Sequence, residues 1–123
     1  MTDPTNMIDS YERASAMAWA LIRLAPEPVP ALWQELSARA LAALLYAASP
    51  EDTGRGMNWV YQTLLNADER SLTSAATAAG ADAEMIRRLR LADDLDPGQR
   101  QTLIIAMRRA VDPWLQPAHT KVS

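Results

Sequence analysis

The chain has no cysteine, no phenylalanine, one histidine and only four glycines in 123 residues. Without cysteine there are no disulfides, thiolate metal sites or cysteine nucleophiles, and the composition suits a cytoplasmic compartment. The single histidine, His119, follows Pro117 near the chain end and has no second ligand close in sequence. A metal or acid–base role needs partners that converge, so His119 is expected to be a solvated terminal residue. The glycines build no phosphate loop. Gly54-Arg55-Gly56 precedes a helix, but neither G-x-x-x-x-G-K-[ST] nor G-x-G-x-x-G occurs. No apolar run approaches the roughly 20 residues that cross a bilayer. The opening MTDPTNMIDS is too polar and acidic for a secretory signal. A basic excess is missing as well: 12 Lys and Arg against 15 Asp and Glu give a net charge of −3, so the molecule as a whole does not attract nucleic acid indiscriminately.

What remains is an alanine- and leucine-rich chain, 49% hydrophobic and 22% charged, which is the balance of a folded globular protein. Alanine and leucine are the strongest helix formers, and no stretch alternates long enough to make a strand. The expectation is an all-α fold, a compact bundle of about six helices in a single domain over 1–123, with flexible ends at 1–4 and 116–123.

The first helix is expected from about Thr5 to Leu24, with Ile8, Tyr11, Ala14, Ala18, Leu21 and Ile22 on one face. Alternating prolines at 26, 28 and 30 fix φ and remove amide donors, which makes that stretch an extended linker. The second helix, Ala31 to Ser49, places Trp33, Leu36, Ala40, Leu41, Leu44 and Leu45 on one side. After a polar loop, a third helix is expected over Met57–Asn66 and a weakly apolar fourth over Asp68–Ala79. Gly80 fits the left-handed position that closes a helix. Asp82 is expected to cap a fifth helix through Ala92. Asp96, Pro97 and Gln99 open a sixth, which Pro113 ends or kinks. The predicted core is Leu36, Leu41, Leu44, Leu45, Val60, Leu64, Leu103 and Met107.

No constellation is catalytic, and neither a metal site nor a cofactor site is expected. Asp93, Asp94 and Asp96 are accounted for by capping and the helix dipole. Two features point to binding. Arg87, Arg88 and Arg90 crowd the fifth helix, and Arg100, Arg108 and Arg109 lie on the sixth. They form either a solvated surface paired with Asp82, Glu84 and Asp93, or part of a patch that faces an anion or DNA. Trp19, Trp33, Trp59 and Trp114 are expected to anchor the core. Trp59 is the exception, because Val60, Tyr61 and Leu64 hold the inward face and leave it at the edge for a partner.

Three segments, WQELSARALAALLYAAS (33–49), GRGMNWVYQTLLN (54–66) and LDPGQRQTLIIAMRRAVDPWL (95–115), together resemble the all-α domain of type IV secretion coupling proteins, the TraG/TraD-like conjugative DNA-transfer ATPases. In that family an aromatic residue precedes an alanine- and leucine-rich helix, a short break and second helix follow, and a later helix opens with an Arg-containing turn and ends near a proline. The resemblance implies a domain of a membrane-anchored hexameric motor, held on the cytoplasmic side. Such a domain selects cargo by contacting the relaxosome or another transfer protein, with DNA as a further candidate partner. The Walker motifs, the membrane helices and the RecA-like core are not in this sequence, so ATPase activity does not carry over. The competing reading is a small DNA-binding regulator with a helix-turn-helix at about 68–92. A helical enzyme of other chemistry is disfavoured by the missing motifs.

Overall fold

The computed structural model describes residues 3–25 and 30–122, with side chains through Trp114. The described residues form six α-helices and no strand: α1 (Tyr11–Arg23), α2 (Ala31–Ala48), α3 (Gly56–Leu65), α4 (Leu72–Ala79), α5 (Ala83–Asp93) and α6 (Pro97–Val122). The all-α bundle is thus as expected. Residues 26–29 of the proline-rich stretch lie outside the described residues, as does the His119 side chain.

Helix α2 is the hub, with α1, α3, α5 and α6 all packed on it. Periodicity gave it one apolar side. Instead Ser37, Ala38 and every residue from Ala40 to Leu45 are buried, because a helix surrounded by neighbours is apolar almost all round. Its many alanines let those neighbours approach closely. Leu41, Leu44, Leu45, Val60, Leu64, Leu103 and Met107 are buried as predicted. Leu36 is not: it is 39% exposed, since it lines an open surface groove with Trp19 and Leu91 rather than facing the core.

Several helix starts differ from the sequence expectation, each for a local reason. Helix α1 begins at Tyr11 and not Thr5, because Ser10 is extended and its hydroxyl accepts the Arg13 N–H at 3.2 Å. The preceding Pro4–Met7 forms a separate 3-10 turn, of which Thr5 is the buried residue. Helix α4 begins at Leu72 and not Asp68. Residues Asn66–Arg70 make a turn on the Asn66 carbonyl, and Ser71 caps the helix through the Ser74 N–H. Asp82 occupies the cap position of α5, but its side chain makes no capping bond there. Pro113 does not stop α6, which runs on to Val122; a proline φ is itself helical, so the chain can continue at the loss of one amide bond.

Three aspartates distant in sequence hold the starts of the middle helices. Met57 N–H donates to both carboxylate oxygens of Asp3 (3.2 and 3.0 Å), which fastens the chain start to α3. Leu72 and Thr73 N–H donate to Asp93 (3.2 and 2.9 Å), which ties α4 to the end of α5. Asp82 N–H donates to Asp52 (3.2 and 3.0 Å) ahead of α5. Negative charge at helix N-termini meets the unpaired amides and the positive end of the dipole. Gly56 makes the first of these contacts possible. Its φ is +83°, and a Cβ there would lie 2.7 Å from Asp3 Oδ2. Gly80, also at φ +83°, closes α4 as expected. Among the described residues no helix is long and apolar enough to cross a membrane.

Candidate functional site

Most of the arginines before Arg108 are held by a carboxylate or a ring. Arg13 pairs with Asp9 and Arg39 with Glu35, each one helical turn away. Arg87 and Arg88 both reach Glu84, and Arg88 also lies over the Tyr11 ring, 4.4 Å from its centre. Glu84 is held below its usual carboxylate range first by the hydrogen bond from Arg87, and Arg87 is raised by the same bond. Arg100 is turned inward onto Asp93. Arg23 stacks on Trp19 at 5.3 Å.

Arg55, Arg70 and Arg90 are exposed and differ from these: their guanidiniums have neither a carboxylate nor an aromatic partner among the described residues. All three line two adjoining grooves beside α4. The inner groove, about 260 Å³, is bounded on the α3 side by Arg55, Trp59, Gln62 and Asn66, with Arg70 at its far end. Ala75, Ala78 and Ala79 of α4 form the opposite wall. The outer groove, about 630 Å³, shares Arg70 and Ala78 and adds Arg90, the hydroxyls of Ser71, Thr73, Ser74 and Thr77, and one carboxylate, Glu69. No carboxylate lines the inner groove.

The local sequence explains the inner groove. Arg55, Trp59, Gln62 and Asn66 recur at i, i+4, i+7 and i+11, which is one stripe of a helix. The neighbouring stripe, Met57, Val60 and Leu64, is buried and fixes which way the first faces. The α4 wall is alanine at 75, 78 and 79, and larger side chains there would fill the space.

Of the residues singled out from sequence, Trp59 and Arg90 line these grooves. The other arginines do not merge with them into one patch. Arg87 and Arg88 converge on Glu84, and Arg100 on Asp93. Arg108 is half-buried on α6 near Tyr61, whose hydroxyl donates to Asp112 at 3.3 Å. Burial raises the Tyr61 pKa, the Asp112 charge adds to it, and Arg108 opposes it. Arg109 is exposed on the same helix. Sequence reasoning missed Arg55, Arg70, Gln62 and Asn66, although the stripe starting at Arg55 was there to be counted.

Guanidiniums bind phosphate oxygens in bidentate fashion, an indole face stacks on planar rings, and carboxamides offer both donor and acceptor. Among the described residues no group of His, Asp or Glu could hold a metal ion. Comparison of the chain with family models, curated proteins and solved structures returns no match.

Proposed function

We propose that the chain is a non-catalytic recognition module that holds a nucleoprotein cargo, in the role implied by its resemblance to the all-α domain of type IV secretion coupling proteins. The partner on this reading is a relaxosome or other transfer protein together with its DNA. The parent is the membrane-anchored coupling-protein hexamer, with this domain on the cytoplasmic side. One observation supports it: on a net-negative molecule with five arginines in ion pairs and Arg23 on an indole, the three exposed arginines with neither a carboxylate nor an aromatic partner among the described residues gather along two adjoining grooves with an indole. Local clustering of cations, and not net charge, is what phosphate contact requires.

Titration of the purified chain with fluorescent DNA at low salt tests the DNA part. Three phosphate contacts give a slope of log affinity against log salt between about −2 and −3. Absence of binding at low salt removes DNA and leaves a protein partner, which co-purification with the processing proteins of the cognate element then tests.

A second reading has one observation in its favour. Helices α4 and α5 are in contact and joined by a short turn at the left-handed Gly80, the order of elements that a helix-turn-helix needs. Against it, Arg87 and Arg88 of the would-be reading helix are engaged by Glu84, which leaves few side chains to contact base edges. Selective retention of one duplex sequence from a random pool would favour this reading.

A further inference from the structure

We infer that the inner groove is a single-strand nucleic-acid site, in which one unstacked base lies between the Trp59 indole and the alanine wall of α4 while Arg55 and Arg70 hold phosphates of the same strand to the two sides of it. The inference rests on the nucleic-acid part of the function proposed above and specifies the form of the ligand. Trp59 lines the groove on the α3 side and the small side chains of Ala75, Ala78 and Ala79 line it on the α4 side, which leaves space beside the indole for a planar ring. Trp59 is half-buried, packed against the core and lining the groove. Its position is therefore fixed before any ligand arrives, and stacking requires little reordering of the side chain. Arg55 stands just before α3 and Arg70 beyond its end, so the cations bracket the indole along a ten-residue helix of about 15 Å. Gln62 and Asn66 lie between them and reach the edge of a stacked base.

A duplex does not satisfy this arrangement. Its bases already stack on each other, and presenting one to Trp59 requires unstacking and unpairing. A single strand offers a free base face and a flexible backbone, and stacking tolerates any base because every base has a π-face. The carboxylate-free lining removes the repulsion that would otherwise oppose a phosphate chain.

The test uses the whole chain and three fluorescent probes of equal length, about 12 nucleotides, within the range of single-strand site sizes. The probes are oligo-dT, an abasic strand with the same phosphates, and a duplex. Oligo-dT is expected to bind best, with the abasic strand roughly 5- to 150-fold weaker, the span of one base–aromatic stack. Trp59→Ala should bring oligo-dT down to the abasic level and leave the abasic strand unaffected, while Trp59→Phe retains most of the difference. Arg55→Ala and Arg70→Ala should weaken both single strands and each flatten the salt slope by about 0.7. Equal affinity for oligo-dT and the abasic strand, or tighter binding of the duplex, overturns the inference while leaving anion recognition intact. Failure of every probe to bind at low salt overturns the reading beneath it as well. If Trp59→Ala does not fold, the abasic comparison on the unaltered chain still decides.

Discussion

Arg100 and Asp93 share an ion pair at 3.2 Å, with side chains only 17% and 11% exposed. Arg100 Nε and Nη2 both donate to Asp93 Oδ1. The same carboxylate accepts the Leu72 and Thr73 amides, so one side chain joins the start of α4, the end of α5 and the first turn of α6. Helix α4 forms one wall of the candidate grooves and α5 supplies Arg90 to the outer one, so the pair ties that wall to the body of the bundle.

Asp93→Ala strands a largely buried guanidinium and two helix-start amides together. The expected cost is about 3 kcal/mol, the lower end of the range for breaking a buried pair. Arg100→Ala should cost a comparable amount, and the double variant less than the sum, since the partners are coupled. Urea unfolding of the four proteins measures this. Additive losses, or losses below about 0.5 kcal/mol as at ordinary surface sites, would refute it.

Asp3 makes stability depend on acid. Burial raises its carboxyl pKa, but the hydrogen bonds from the Thr5 hydroxyl and from the Met57 and Thr5 amides outweigh that and hold it below the usual value. The folded pKa is thus lower than the unfolded value of about 3.9. Its contribution is complete well above that pH and is lost as pH falls through 3.9 toward the folded value, where the unfolded chain takes up the proton first. Asp3→Ala should cost about 0.5–2 kcal/mol at pH 7, as for other helix caps. The difference from the parent should shrink at pH 3. Urea midpoints at the two pH values give the answer, and a constant difference would contradict it.

Gly54 and Gly56 separate backbone strain from steric conflict. Both have positive φ, 71° and 83°, but nothing lies within 4 Å of a Cβ at Gly54, whereas one at Gly56 meets Asp3 Oδ2 at 2.7 Å. Gly54→Ala should cost about 1–2 kcal/mol, the penalty for the left-handed conformation alone. Gly56→Ala should cost more, and it should also release the chain start from α3. Protection of the Met57 amide from hydrogen exchange reports that release directly.

The parts of this fold that sequence revealed are those set by neighbours along the chain. Gly80 and Pro97 mark their helix boundaries because their conformational restrictions are local. The Glu84 pairs with Arg87 and Arg88 follow from helical spacing. The contacts that fasten the helices to one another were not visible. Asp3 and Met57 are 54 residues apart, and nothing near either shows that they meet. Asp93 appeared to be one acid among three before α6, yet it caps α4 across a helix break. Leu36 illustrates the reverse error, since its spacing matched Leu44 but its end of α2 is less covered. The groove was half-legible. Trp59 stood out because three inward residues competed with it, while Arg55 escaped notice by lying just outside the predicted helix and Arg70 by lying in the predicted fourth helix instead of the turn.

Placement of charge, and not its total, is what the groove contributes, and two substitutions of equal charge separate the effects. Arg39 pairs with Glu35 on α2, where it borders a different groove, and Arg70 lies where the two cationic grooves adjoin. Arg70→Ala and Arg39→Ala each lower the net charge by one. Attraction by the whole molecule would make them equivalent, because long-range steering depends on summed charge. Phosphate contact makes them differ. Arg70→Ala should lose a charge-assisted bond of about 1.5 kcal/mol, roughly tenfold in DNA affinity, while Arg39→Ala stays near the parent value. Exposed pairs such as Arg39–Glu35 add little to stability, so both variants should unfold at similar urea concentrations and the comparison is unaffected by folding. Equal losses of affinity would mean that the groove holds no phosphate and that any DNA binding is a property of the surface at large.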